Sequence, residues 1–248
     1  MKIFRSLEEI PTDFGPSVAS IGNFDGVHLG HQDILRAVTA DARSLGCRAI
    51  AITFDPHPEI FLRPNRAPKL ITPMPVRLEL LAATGIDATL ILPFNDSLAC
   101  LSARDCVEEI LVHRLQVRAM HEGANFRFGH RAEAGVMELA AFGQELGFTL
   151  TVHESIHTHG LTVSSTAIRE AIAFGDLRRA RWMLGRPFAV HSTQARGRGI
   201  GSRLLVPTVN LASYSELLPA NGVYVTRLTI GGGPCFHSVT NAGNRPTF

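Results

Sequence analysis

The stretch SVASIGNFDGVHLGH, Ser17 to His31, decides the fold. Its first five residues, SVASI, read as a strand. A Gly-rich turn follows, and from about Gly30 to Leu45 apolar residues recur with helical spacing, placing Ile34, Leu35, Val38, Ala42 and Leu45 on one face. A strand that passes through such a turn into a helix begins a β–α–β winding. The turn then faces the free N–H groups and the positive end of the helix dipole, which suit a phosphate. His28 and His31 lie three apart, so both imidazoles can face one phosphate group and donate hydrogen bonds to a phosphoryl centre in transit. Gly22, Gly26 and Gly30 allow the backbone to approach a ligand closely. The residues alone leave two other readings open: a tight turn with surface histidines, and half of a zinc site, for which no matching Cys/His pair is in view.

The alternation continues outward from this stretch. RAIAITF (48–54), ATLILPF (88–94), VRAMHEG (117–123) and FTLTVHE (148–154) read as strands. Between them VRLELLAATG (76–85) reads as a helix closing on Gly85. A second helix follows Ser102 to about Leu115, with Asp105 as a first-turn acid, and a third covers about 133–146. Alternating β and α segments predict an α/β fold, Rossmann-like, with a parallel sheet and helices on both faces. Ligands of such sheets bind beyond the carboxyl ends of the strands. Ser164–Phe174 and Asp176–Leu184 read as two closing helices. After Gly185 the helical period is lost and β runs such as GVYVTRLTI (222–230) appear among glycines. The expected division is therefore a domain over 1–184 and a β-rich domain over 185–248.

Composition limits the function classes. No run of about 18 apolar residues is present, so no membrane-spanning helix is expected. The N-terminus MKIFRSLEEIPTDF lacks the apolar stretch of a signal peptide. Cys47, Cys100, Cys106 and Cys235 stand apart without a CxxC pair, which reads as reduced thiols in a cytoplasmic protein. From Gly185 onward there are six Arg, no Lys and the single acid Glu216, a local charge of +5 within a chain of net +2. No set of stacking aromatics accompanies these arginines, so the expected partners are phosphorylated small molecules and not nucleic acid. Oligomeric state is not legible.

The spelling of several segments adds a resemblance. The small-x-FDG-x-H-x-GH run of Gly22–His31 resembles the HxGH superfamily of nucleotidylyltransferases. Then come, in order, FDPHP (54–58), NFRFG (125–129), SSTAIREAI (164–172), LGRPF (184–188) and PTVN (207–210). In this order the chain resembles, over essentially its whole length, the bacterial bifunctional riboflavin kinase/FAD synthetase family. The resemblance implies transfer of AMP from ATP to FMN, giving FAD and pyrophosphate. It implies His28 and His31 as catalytic residues. Gly22, Phe24, Asp25, Gly26 and Gly30, together with Ser164, Ser165, Thr166 and Arg169, would bind ATP and its phosphates. Phe54, His57, Asn125, Arg127 and Phe128 would line the flavin site.

Each segment also has a plain physical reading. Ser164 or Ser165 can cap a helix, and Arg169 can neutralise phosphate charge or be a surface cation. Phe126 and Phe128 alternate as core residues do, whereas Asn125 at a strand end has less structural reason. His57 in FDPHP fits a structural turn equally well. The FMN phosphate is already a competent nucleophile at neutral pH, so catalysis is mainly positioning and charge stabilisation. Mg²⁺ would arrive with ATP, held by triphosphate oxygens and water, and no side chain is assigned as its ligand.

PTVN, GVY (222–224) and NRPTF (244–248) resemble the kinase module of the same family, with Thr208 and Asn210 in its Mg-ATP site and riboflavin as its substrate. The later glutamate that would serve as base has no counterpart, since Glu216 precedes GVY. The expectation is a partial kinase-like β domain, from either a fragment or a decayed half, with riboflavin kinase activity doubtful. The alternatives to FMN adenylylation are a related nucleotidylyltransferase acting on another phosphate acceptor and a flavin- or nucleotide-binding protein without turnover.

Overall fold

The computed structural model describes residues 1–195 and 209–243. The chain divides into two compact units, Met1–Ser165 and Thr166–Phe248.

The first unit is built on a six-stranded sheet in the order β1-β4-β3-β2-β5-β8. Its strands are β1 (Lys2–Phe4), β2 (Ser17–Ile21), β3 (Arg48–Asp55), β4 (Ala88–Pro93), β5 (Val117–Gly123) and β8 (Thr149–His153). Every pairing is parallel. β2 is the pivot: the chain winds from β2 through β3 to β4 on one side, then returns to place β5 and β8 on the other. The order therefore reverses between β2 and β5, where open parallel sheets leave a crevice beyond the strand ends.

Alternation along the strands divides the core into two layers. Val18, Ala49, Ala51, Ile91 and Ala119 pack with Leu35, Val38 and Ala42 of α1 (Leu29–Leu45) and with Leu78 and Leu81 of α3 (Met74–Ala82). Ala19, Ile21, Ile50, Ile52, Leu90 and Met120 point the other way, onto Val107, Ile110, Leu111 and Leu139. The opposite layer thus receives the helix that starts as α5 (Ala103–Asp105) and α6 (Val136–Leu146). Helices lie on both faces of a parallel sheet, as the alternation predicts.

Three local expectations are corrected. Leu45 is 53% exposed, because it is the last helical residue, where the chain leaves the layer to turn through Gly46. The helix after Ser102 continues over Cys106–Arg114 with wider π-type turns, so its period departs from 3.6. The helix placed at 133–146 begins at Val136, since Ala134–Gly135 forms β7 against β6 (Arg127–Phe128). The short helices α2 (Pro58–Leu62) and α4 (Asp96–Ala99) and the small pair β9 (His157–Thr158) and β10 (Leu161–Thr162) complete this unit.

The second unit holds α7 (Ser165–Ala173) from its second residue, α8 (Leu177–Leu184), β11 (Gln194–Ala195), β12 (Asn210–Leu211), β13 (Gly222–Thr229) and β14 (Cys235–Ala242). Asp176 caps α8, its side chain accepting the Arg179 N–H, and Gly185 ends that helix. β13 and β14 form a regular antiparallel hairpin from Gly222↔Ala242 to Thr229↔Cys235. Thr226, Ser238 and Thr240 hydroxyls are hydrogen-bonded across it at 2.7 and 2.8 Å. Thr208 and the NRPTF segment lie outside the described residues.

Candidate active site

The Gly22–His31 loop leaves the carboxyl end of β2 beside the β2–β5 crevice. Its backbone is unusual for its composition: Phe24, Gly26 and Val27 all have positive φ, at 46°, 83° and 37°. Only Gly26 adopts this without steric cost; Phe24 and Val27 are held there by burial. The loop is anchored from three directions. Thr53 on β3 donates to the Asn23 carbonyl at 3.3 Å. The Gly26 N–H donates to the Thr72 hydroxyl at 3.1 Å. The Ser165 hydroxyl donates to the Asp25 carbonyl at 2.9 Å, which brings the first residue of α7 to this loop.

Asp25 is only 1% exposed and its carboxylate points inward. It accepts the N–H groups of Ile71 (2.9 and 3.0 Å) and Thr72 (3.0 Å), with Arg77 Nη2 at 3.8 Å. Phe24 is also buried, edge-on to His31 with ring centroids 5.3 Å apart. A Cβ at Gly22 would meet the Phe24 ring at 3.3 Å, so the glycine makes room for that ring.

The two histidines meet at the start of α1. Their rings are stacked, with centroids 3.6 Å apart and planes 17° from parallel. His28 is the N-cap: its Nδ1 accepts the His31 N–H at 3.3 Å. With Nδ1 acting as acceptor, the ring proton resides on Nε2, a donor suited to a phosphate oxygen. Gly30 gives the His28 ring its room, because a Cβ there would lie 3.2 Å from His28 Cε1 and 3.3 Å from Nδ1, tight enough to displace the ring by a few tenths of an ångström.

The residues expected at the flavin site fall at the ends of β3 and β5. Phe54 meets Phe94 edge-on at 5.7 Å, and Phe61 on α2 approaches the same ring at 5.8 Å. His57 is buried and caps α2, its Nδ1 accepting the Glu59 N–H at 3.2 Å. Its turn role is therefore present whether or not it touches a ligand. Asn125 is exposed just beyond β5, with its Oδ1 3.3 Å from where a Cβ of Gly123 would stand. Phe128 is half-buried and stacks on Phe126 at 5.4 Å. The Arg127 guanidinium turns back to donate to the Ala132 carbonyl at 2.7 and 3.1 Å, clamping its own hairpin. Ser164 is half-buried, Thr166 exposed and Arg169 half-buried on α7; Asn210 starts β12.

The structure also brings forward groups that the sequence reading passed over. Glu122 on β5 is 2% exposed and its Oε1 accepts the Ile21 N–H at 2.6 Å. Burial raises its pKa well above the ordinary carboxylate value, against a smaller lowering by that hydrogen bond. Its signal in the sequence was an acid within an otherwise strand-like run, VRAMHEG. Beside it, His121 Nδ1 lies 3.0 Å from His153 Nε2, and His121 Nε2 lies 3.1 Å from Asp41 on α1. Burial, and then the neighbouring His121, lower the His153 pKa, while Asp33 raises it. These contacts tie α1 to β5 and β8.

A loop of inverted backbone carrying two stacked histidines at the switch point of a doubly wound sheet is the arrangement of a nucleotidylyltransferase. The FAD synthetase family model matches residues 10–167, and the riboflavin kinase family model matches residues 184–248. The bifunctional riboflavin kinase/FMN adenylyltransferase of Escherichia coli K12 is 32% identical over 250 residues, covering 100% of this chain and 79% of the relative. The Pseudomonas fluorescens protein of the same description is 36% identical, with the same coverage. A crystal structure described as a macrolide-efflux protein from Streptococcus pneumoniae superposes with a TM-score of 0.87 at 25% identity, over 99% of this chain and 80% of that one. The chain belongs to the bifunctional riboflavin kinase/FMN adenylyltransferase family, and it is an enzyme with FMN adenylyltransferase activity.

Proposed function

We propose that adenylyl transfer is carried by His28 and His31, which bind the ATP phosphates as the FMN phosphate oxygen attacks the α-phosphorus in line and pyrophosphate leaves. The stacked pair at the start of α1 is the observation that supports this most directly. With Nδ1 of His28 accepting the His31 N–H, Nε2 is left as the donor nitrogen of the ring. Charge grows on the phosphoryl oxygens as the bond to pyrophosphate breaks, and donors already in place stabilise it without reorganisation. Gly22, Gly26 and Gly30 supply close backbone approach and room for the rings. Phe24 and Asp25 act through the loop, one packing on His31 and the other fixing its inner side. Ser164, Ser165, Thr166 and Arg169 are assigned to ATP on the family likeness.

Phe54, His57, Asn125, Arg127 and Phe128 are assigned to the flavin side on the same likeness, and Arg127 also shapes the loop that carries Asn125. Magnesium enters as part of the Mg-ATP substrate, held by triphosphate oxygens and water. Thr208 and Asn210 are assigned to the Mg-ATP site of the riboflavin kinase region, with riboflavin as its substrate. We place the domain boundary near Gly185, in a cytoplasmic protein whose ligands are ATP, FMN, FAD and riboflavin and not nucleic acid. Free thiols at all four cysteines support a reducing compartment.

Incubation of the protein with FMN, ATP and Mg²⁺, followed by chromatography, is expected to yield FAD. Individual His28→Ala and His31→Ala variants are expected to lose most of that rate. Near-native turnover in both would remove the assignment.

A further inference from the structure

Glu122 stands where a second constraint on the histidine loop is needed. In a parallel sheet successive N–H groups of one strand point to opposite neighbours. The Gly22 N–H goes to Ile52 on β3, at 2.9 Å. The Ile21 N–H therefore points toward β5, but the β2–β5 pairing ends at Ala19↔Met120. Past that pair the strands separate to form the crevice, and the Glu122 side chain meets the Ile21 N–H. An orphaned buried N–H is destabilising; an acceptor on a side chain satisfies it while letting the strands part.

We propose that Glu122 is a positioning residue for adenylyl transfer: by accepting the Ile21 N–H it fixes where β2 ends and where the Gly22–His31 loop begins. The inference rests on the assignment of His28 and His31 to the reaction. The chain from Ile21 reaches Phe24 in three residues, and Phe24 packs directly on His31. A shift at Ile21 is thus passed to the histidine pair through a short, buried path. The acceptor atom is what matters, since burial disfavours the charged form of Glu122.

The test compares Glu122→Gln, Glu122→Ala and Glu122→Asp with the native protein, reading kcat and KM for FMN and Mg-ATP together with thermal unfolding. Glu122→Gln keeps the acceptor, and its kcat is expected within about 2-fold of native. Glu122→Ala loses it, and its kcat is expected to fall by on the order of 10-fold or more, because about 1 Å of misplacement costs up to 10²-fold. Both KM values are expected to stay within a few-fold, which a loss of binding would not produce, and a thermal midpoint above the assay temperature excludes loss of folded protein as the cause. Glu122→Asp withdraws the acceptor by one methylene and gives the same split should the alanine variant not fold. An unchanged kcat in the alanine or aspartate variant, a rise in KM alone, or a glutamine variant as slow as alanine each overturns the proposal. His28→Ala assayed alongside separates the two ideas: full activity there removes the histidine assignment, whereas its loss beside an unaffected Glu122→Ala removes only the role of Glu122.

Discussion

The Nδ1 of His28 accepts the backbone N–H of His31, so the residue that caps α1 also stacks its ring on the next histidine of the motif. Capping and catalysis can be separated by substitution. Asparagine is a good N-cap but has no counterpart to the Nε2–H. His28 is buried, so His28→Asn is expected to cost about 1 kcal/mol of stability through lost packing while kcat falls by roughly 10²–10³-fold, the cost of one donor aimed at developing charge. Steady-state FAD formation beside urea unfolding checks both halves. Equal loss of stability and rate would show that the ring acts only as a cap.

Gly30 offers the opposite separation. Gly30 is half-buried at the second position of α1, and a glycine within a helix is less stable than alanine by about 0.5–1 kcal/mol. The Cβ of Gly30→Ala would press on the His28 ring from 3.2 Å. The variant is expected to unfold at equal or higher urea concentration and yet to lose on the order of 10-fold in kcat, as the ring moves off its position. Native kcat in a folded Gly30→Ala would show that the ring's seat on α1 is not used.

Asp25 is expected to matter through the loop it fastens. Asp25→Ala removes the acceptor of the Ile71 and Thr72 amides and the carboxylate beside buried Arg77. Breaking a buried pair of this kind costs roughly 3–5 kcal/mol, so the urea midpoint should fall strongly. Asp25→Asn retains one oxygen acceptor and should fall less. A midpoint unchanged in both variants would mean that the loop is held elsewhere.

Asn125 is exposed and buries nothing, so Asn125→Ala is expected to leave stability within about 0.5 kcal/mol. If its amide faces the flavin site, the apparent KM for FMN rises several-fold. Unchanged apparent affinities for both FMN and ATP would leave the NFRFG loop a purely structural element.

Glu122 predicts a pH dependence of stability. Its folded pKa is raised by burial above the unfolded value of about 4.3. Between those two values the folded protein holds more protons than the unfolded chain, so its contribution to stability falls as pH rises through that window. Glu122→Gln removes this slope. The thermal midpoint of Glu122→Gln relative to native is expected to increase from pH 4 upward until the folded carboxyl ionises. A constant difference across pH would show that Glu122 does not carry the raised pKa.

The sequence by itself determined the winding, the loop and the family. Spacing alone separates a period of two in SVASI from a helical period after Gly30, and the order of such segments specifies a parallel sheet. The types His28, Gly30 and His31 are legible because the capping bond and the ring stack that join the two histidines span only three residues. Sequence could not say which way a side chain turns once two strands part. Asp25 reads as a phosphate-loop residue, yet its carboxylate is spent on Ile71, Thr72 and Arg77, some 46 to 52 positions further on. Arg127 reads as a cation for a ligand, and the structure adds that its guanidinium clamps its own hairpin. Glu122 reads as one more strand residue, and its meeting with Ile21, 101 positions away, exists only because β2 and β5 are neighbours that separate at the crevice. Those contacts depend on strand order and on the layer to which each side faces, which are set by the packing of the whole sheet and not by any local stretch of the chain.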